Sequence, residues 1–359
     1  MAKTLANREH VARLRAALLE WYSRHRRDLP WRRTRDPYAI WVSEIMLQQT
    51  RVAAVVDRYE QFMLRFPTVF ALAEAAEQDV LALWSGLGYY RRARMLHKAA
   101  RAVAAIGNGK MPGTAAELRA LPGVGAYTAA AVASIAFNEP VAVVDGNVER
   151  VLCRVAAWDA DGEHERKVYD LAGRLVDPDS PGDFNQAMME LGATVCLPRN
   201  PQCLACPLAG FCKTRGEHRT APRARSVVRE VGYALCLRSA HKSPRFDLAR
   251  AQVLLQQRPP HVSVMPGMWE LPMLLAVPNG DTTMTVRHAI MNVNYVVRIR
   301  HVGEEELARL AVDGGARRWV PFPDAGGMAL TGLARKVLTR VKGTPPTQLH
   351  PIVSSQSHR

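Results

Sequence analysis

LPGVGAYTAAAVASIAF (residues 121–137) and VAVVDGNVERVLCRVAAW (residues 141–158) together decide how the chain is read. In the first, a Pro-Gly-x-Gly turn leads from one helical pattern into an Ala-rich second one. Gly123 and Gly125 carry no side chain there, so backbone N–H groups can come close to a phosphate at the helix N-terminus. The pattern is that of a helix-hairpin-helix, although an ordinary interhelical turn looks the same in isolation. In the second, Asp145 follows a short apolar run and precedes a helical pattern, the position of an N-cap. The helix dipole favours the charged form of a carboxylate placed there. A capping aspartate with no further role has the same local appearance.

Outward from this pair, the chain from Leu5 to about Cys212 reads as successive amphipathic helices punctuated by FPTVF, GNGKMPG and DPDSPGD. Residues 1–212 are therefore expected to form a mainly α-helical domain. Residues 213–229, KTRGEHRTAPRARSVVR, are basic and lack apolar periodicity, and read as a linker. The β-rich runs VGYALCLRS, AQVLLQQR and VNYVVRIRHV follow, then a helical stretch at 331–341, so residues 230–343 read as a smaller α+β domain. Residues 344–359 have the composition of a disordered tail. A length of 359 residues fits two domains.

Four of the six cysteines, Cys196, Cys203, Cys206 and Cys212, fall in a C-x6-C-x2-C-x5-C run stiffened by Pro198, Pro201 and Pro207. Four thiolates so close can clasp one metal centre. An iron-sulfur cluster or structural zinc would suit such a loop; zinc loops more often carry two C-x2-C pairs, and the single pair here leans towards iron-sulfur. Cys153 and Cys236 lie in apolar helix and strand contexts and read as small core residues.

Glu44, in IWVSEIMLQQT, is set among Trp41, Val42, Ile45, Met46 and Leu47 on a helical pattern. Burial among such neighbours raises a carboxyl pKa. Glu44 and Asp145 thus form the pair that glycoside chemistry needs: one carboxyl kept protonated to donate to a leaving group, the other kept charged beside a developing cation.

With 48 Lys+Arg against 33 Asp+Glu and a formal net charge of +15, the chain should attract a polyanion. The basic residues concentrate before Asp36 and in the linker. No run approaches the ~18 apolar residues of a membrane span, and the charged start lacks a signal-peptide centre. The expectation is a soluble, cytoplasmic protein with no membrane partner.

Around these residues, LPWRRTRDPYAIWVSEIMLQQTRV (29–52) and LWSGLGYYRRARMLHKAA (83–100) make the chain resemble the adenine DNA glycosylases that act opposite oxidised guanine, within the helix-hairpin-helix glycosylase superfamily. The resemblance runs from about Leu18 to Cys212 and more weakly beyond. It implies base excision from double-stranded DNA holding A:8-oxoguanine or A:G mispairs, by a monomer carrying a 4Fe-4S cluster on the four cysteines. It further implies that Glu44 protonates adenine N7 and later helps activate water. Asp145 would stabilise the oxocarbenium-like sugar, or transiently bond to it, with Tyr127 and Asn147 in support. Gln49 and Tyr89 would wedge into the base stack, with Thr50 near the opposing guanine. Arg91, Arg92 and Arg94 would either meet phosphates or form a solvated basic face.

Relatives that also cut the backbone carry a Schiff-base lysine where this chain has Tyr127, so the resemblance implies a monofunctional enzyme. QRPPHVSVMPGMWELP (257–272) resembles the family's Nudix-like domain. No helix dense in Glu and Arg for holding magnesium is read after Gly267, so this domain is expected to bind rather than hydrolyse. Where the family commonly shows Phe-Ser-His facing the oxidised base, the chain has Ile290, Met291 and Asn292. Two rivals stand beside this reading: a bifunctional pyrimidine-lesion glycosylase of the same superfamily, and a non-catalytic cluster-bearing DNA-binding or redox-sensing protein.

Overall fold

The computed structural model describes residues 7–106, 109–158, 164–217, 227–239, 247–278, 282–290, 293–310 and 315–344. The helices in chain order are α1 (Arg8–His25), α2 (Pro37–Leu47), α3 (Val52–Arg65), α4 (Val69–Glu74), α5 (Glu77–Trp84), α6 (Arg91–Ile106), α7 (Ala115–Leu118), α8 (Ala126–Phe137), α9 (Gly146–Ala156), α10 (Glu165–Leu175), α11 (Pro181–Thr194), α12 (Glu304–Leu310) and α13 (Gly332–Lys342). The strands are β1 (Val227–Leu235), β2 (Leu237–Ser239), β3 (Ala251–Gln257), β4 (Trp269–Glu270), β5 (Met284–Ile290), β6 (Val293–His301) and β7 (Arg317–Pro321). The fold class expected from sequence, a helical domain with a cysteine loop plus an α+β region, is the one observed. The chain forms two compact units, Met1–Glu74 with Met95–Pro222, and Ala75–Arg94 with Arg223–Arg359.

In the first unit, α2 and α8 pack against each other. Both are apolar on every side and buried along nearly their whole length, as helices without a polar face must be. The Ala-rich face of α8 lets α2 come close. Asp36 caps α2, accepting hydrogen bonds from the Tyr38 and Ala39 N–H groups, and Pro37 occupies the first turn where its missing N–H costs nothing. Val11, Leu14, Leu18 and Tyr22 form the buried stripe of α1 and join a core with α9, α10 and α11, against which Cys196, Cys206 and Cys212 pack. Cys153 and Cys236 are buried as expected.

In the second unit, β1 pairs in parallel with β6, which pairs antiparallel with β5. In the other sheet β2 and β4 share one edge of β3 and β7 takes the opposite edge, all antiparallel. Helix α13 buries Leu333, Ala334, Val337, Leu338 and Val341 into this core at helical spacing. The strand at 284–290 and helix α12 are additions to the sequence reading. Helix α12 opens with Glu304, Glu305 and Glu306, so a short acidic helix does exist after Gly267. Its acids are engaged instead by Arg300 on Glu306 and by Trp319 and Arg238 on Glu304.

The segment Ala75–Arg94 belongs to this second unit, although its helical periodicity reads as part of the helical domain. Ser85 Oγ and Tyr90 Oη both donate to the Leu330 carbonyl, at 3.1 and 3.0 Å, and Arg335 Nε donates to Ser85 Oγ at 2.7 Å. Arg94 donates to the Pro266 carbonyl and pairs with Glu77. Such long-range bonds leave no trace in local periodicity. Met291 and Asn292, residues 218–226 of the expected linker and residues 345–359 of the expected tail lie outside the described residues. Among the described residues no helix is long and apolar enough to cross a membrane.

Candidate active site

Glu44 sits in the middle of α2, only 5 % exposed. Its Oε2 accepts a 2.8 Å hydrogen bond from the phenol of Tyr127, which stands in the first turn of α8. Burial is the main influence on the carboxyl and pushes it up; repulsion from Asp145 acts the same way, while the Tyr127 hydrogen bond and the Arg32 charge oppose them. The outcome is a Glu44 pKa of about 7, which leaves a large protonated fraction at neutral pH. Burial and the two neighbouring carboxyls hold the Tyr127 phenol well above its ordinary range, so it remains a donor.

Asp145 is the N-cap of α9, as the sequence implied. Its Oδ1 accepts from the backbone N–H groups of Asn147 at 2.9 Å and Val148 at 2.7 Å, and its Oδ2 from Asn147 Nδ2 at 2.8 Å. Asn147 is held in turn by Arg150, whose Nη2 donates to Asn147 Oδ1 at 2.9 Å. The same guanidinium reaches the carbonyls of Gly192 and Cys196, tying the cap to the start of the cysteine loop. A side chain at position 192 is excluded, since its Cβ would lie 2.6 Å from Asn147 Cβ.

Glu44, Tyr127, Asp145 and Asn147 line one cavity of about 180 Å3. Arg27, Arg32, Gln186 and Glu190 line it too, and the sequence had singled out none of them. The Glu190 side chain is fully buried; its Oε1 accepts from Arg27 Nε and its Oε2 from Arg27 Nη2, both at 2.7 Å, and Oε2 also accepts from Arg32 Nη2 at 2.8 Å. Burial works to raise this carboxyl, but the hydrogen bonds from Arg27 and Arg32 outweigh it and hold Glu190 down at about 2. The cavity therefore contains one carboxyl that holds its proton near neutrality and another that stays ionised there. Of this cluster only Arg32 falls in a stretch that the sequence singled out, LPWRR, since Arg27 precedes it and Glu190 lies in an unremarkable helical run.

Thr50 is half-buried and lines the same cavity. Gln49 and Tyr89, each exposed, adopt left-handed backbone conformations with φ of 54° and 47°. Non-glycine residues held there cost about 1–3 kcal/mol and tend to mark functional turns. Gln48 instead points inward, to Thr128 Oγ1. Gly123 has φ of 76° and abuts Met95, while Gly125 caps α8 with open space around it, leaving the helix N-terminus accessible. Of the three arginines that follow Tyr90, Arg91 is exposed, whereas Arg92 and Arg94 are engaged with carbonyls of their own unit.

Cys196, Cys203, Cys206 and Cys212 line a second, small cavity with Arg154. None of the four is in a disulfide. The four side chains face this one cavity, lined also by Pro201, Gln202 and Ala209. Arg154 is buried at 2 % exposure, and its side-chain bonds among the described residues go to a sulfur and to carbonyls, none to a carboxylate. Its Nη1 lies 3.3 Å from Cys196 Sγ, and its remaining bonds go to the Leu197 and Pro198 carbonyls. A buried cation needs a counter-charge, and thiolate ligands supply one. Among the described residues no three His, Cys, Asp or Glu side chains close on a single-ion point. Four sulfurs around a cavity beside a buried guanidinium fit an anionic polynuclear cluster.

The hairpin, the capped aspartate and the cysteine loop define a recognisable class. The chain belongs to the helix-hairpin-helix superfamily: residues 42–178 match the HhH-GPD superfamily of base excision DNA repair proteins. Residues 196–212 match the iron-sulfur binding domain of endonuclease III, so the cysteine loop is an iron-sulfur site. More particularly, the chain is similar to the adenine DNA glycosylase of Homo sapiens, 42 % identical over 314 residues, covering 73 % of this chain and 57 % of that protein. It is 42 % identical over 321 residues to that of Rattus norvegicus, covering 76 % and 62 %. It thus spans about three-fifths of the length of these relatives. Among solved structures, a thermostable thymine-DNA glycosylase matches with a TM-score of 0.54 and 31 % identity, over 57 % of this chain and 96 % of that one.

Proposed function

We propose that the protein is a monofunctional adenine DNA glycosylase of base excision repair, removing adenine mispaired with 8-oxoguanine or guanine in double-stranded DNA. The observation that carries this reading is the pair of acids in one cavity, Glu44 raised to about 7 and Asp145 held by three N–H donors. In this reading the extruded adenine enters the cavity and Glu44 gives its proton to N7. The base can then leave as a neutral species while the sugar gains positive charge. Asp145, oriented by Asn147, faces that charge as a carboxylate. Glu44, now ionised, takes a proton from the water that attacks C1′, and the products are adenine and an abasic site. Tyr127 occupies the position of the Schiff-base lysine, and among the described residues lining the cavity there is no lysine.

Gln49 and Tyr89, strained and exposed, are the side chains that replace lost base stacking, offsetting an extrusion cost of a few kcal/mol. Gly123, Gly125 and the N-terminus of α8 receive a backbone phosphate. Thr50 serves the opposing-base side. Cys196, Cys203, Cys206 and Cys212 hold a 4Fe-4S cluster whose contribution is structural, since hydrolysis transfers no electron. The Nudix-like residues 230–343 read the opposing base. The protein works as a monomer in the compartment that holds the DNA.

The test is a set of duplexes with A opposite 8-oxoguanine, G or T, incubated with cluster-loaded protein. Excision from the first two, strand breaks that appear only after alkali, and no borohydride-trapped complex are the expected results. Breakage without alkali together with a trapped complex would refute the monofunctional reading.

A further inference from the structure

The turn that carries Tyr89 is built around a half-buried cation, Arg92. Trp84, fully buried, ends α5, and Tyr89 stands half-exposed at the tip of the turn in its left-handed conformation. Arg92 lies in the first turn of α6. Its guanidinium carbon is 5.5 Å from the centre of the Trp84 ring and 5.6 Å from that of Tyr89, within cation–π range of both. Its Nη2 donates to the Leu87 carbonyl at 3.2 Å and to the Gly88 carbonyl at 3.3 Å, while the Trp84 indole N–H also donates to Gly88, at 3.2 Å. The Tyr89 carbonyl accepts from the Arg92 N–H at 2.9 Å. Burial lowers Arg92 to about 10, which still leaves it charged at neutral pH.

Two features of the turn need an external constraint. Gly88, at φ of 71° with open space where a Cβ would stand, is free as a glycine to leave that conformation. Tyr89 adopts a φ that an unconstrained tyrosine avoids. One nitrogen, Nη2, serves both carbonyls while the planar guanidinium lies against two aromatic rings, and it is this planar face that lysine lacks.

We propose that Arg92 is a positioning residue for Tyr89: it clamps the Leu87 and Gly88 carbonyls and backs the Tyr89 ring, fixing the ring as a rigid wedge against DNA rather than meeting a phosphate itself. The proposal rests on the glycosylase reading for its DNA half, whereas the clamp is a property of the protein alone. In the free protein, Arg92→Gln is expected to speed amide hydrogen exchange at residues 86–90 by roughly tenfold or more, the scale of one lost hydrogen bond to a charged group. Arg92→Lys, which keeps the charge but not the planar guanidinium set against both rings, is expected to show most of that increase and guards against a glutamine variant that fails to fold. Unchanged exchange in both variants overturns the clamp.

For the DNA half, full-length cluster-loaded protein carrying Glu44→Gln, so that no base is lost, is mixed with a duplex holding 2-aminopurine beside the mispaired adenine. Tyr89→Ala and Arg92→Gln are each expected to remove most of the fluorescence gain that reports unstacking, and the double variant to match Tyr89→Ala alone. A double variant that loses signal by the product of the two single effects, or an Arg92→Gln protein with the parent's full gain, overturns the positioning role. A parent protein that gives no gain on any mispair refutes the glycosylase reading itself, and does so before any Arg92 variant is compared.

Discussion

Tyr127→Phe isolates the acid-tuning part of the mechanism. The substitution removes one hydroxyl, the donor 2.8 Å from Glu44 Oε2, and leaves the ring in α8. That hydrogen bond favours the ionised carboxyl, so its loss raises the Glu44 pKa from about 7. A hydrogen bond to a charged group contributes roughly 1.5–3 kcal/mol, and at 1.36 kcal/mol per pH unit the rise is about one to two units. Glu44 acts as an acid, so excision in wild type is expected to hold steady below pH 7 and to fall as pH rises through it. In Tyr127→Phe the fall should begin one to two units higher, whatever happens to the plateau. Single-turnover excision of adenine opposite 8-oxoguanine across pH 5–10 reads both quantities. An alkaline fall at the same pH in both proteins would refute the assignment of that limb to Glu44.

Further consequences follow from the same residues. Because the folded pKa of Glu44 lies above its unfolded value of 4.5, the native state holds the proton more tightly, and this group costs stability progressively as pH rises from about 4.5 through 7. Glu44→Gln is therefore expected to be the more stable protein at pH 8, by up to a few kcal/mol in urea denaturation, and to lose that advantage at pH 5. Glu190 behaves oppositely, contributing stability above its unfolded pKa that is lost as pH falls towards about 2. Glu190→Ala leaves Arg27 and Arg32 without their counter-charge and should cost roughly 3 kcal/mol at pH 7, near the low end for a broken buried pair because the Arg27 side chain is 39 % exposed. Gly123→Ala combines an unfavourable φ with a collision against Met95, and should weaken both folding, by about 1–3 kcal/mol, and binding to undamaged duplex in a salt titration.

Much of this was legible in sequence because the decisive features are local. An N-cap is fixed by the residue and the helix after it, so the position of Asp145 is legible in sequence alone. The apolar flanks of Glu44 signalled burial, and four cysteines within a short loop signalled their own convergence. The strands around Tyr233, Val253 and Val297 and the helix at 332–342 announced themselves by period. What remained hidden depends on tertiary contact. Glu190 looks like any helical glutamate until Arg27 and Arg32 close on it from a distant segment. The membership of residues 75–94 in the second unit is set by hydroxyls reaching one carbonyl, Leu330. Arg92 and Arg94 read as a basic surface because sequence shows a charge but not the carbonyls it serves.

The pairing of Glu44 with Asp145 is tested most directly by single-turnover excision of adenine opposite 8-oxoguanine at pH 7 with wild type, Glu44→Gln and Asp145→Asn, each cluster-loaded and each shown to bind the duplex. Losses of at least roughly a hundredfold in both variants with binding retained are expected, the scale of positioned general-acid catalysis and of a lost electrostatic partner. Wild-type rates in either variant would contradict the assignment of that carboxyl to the chemistry.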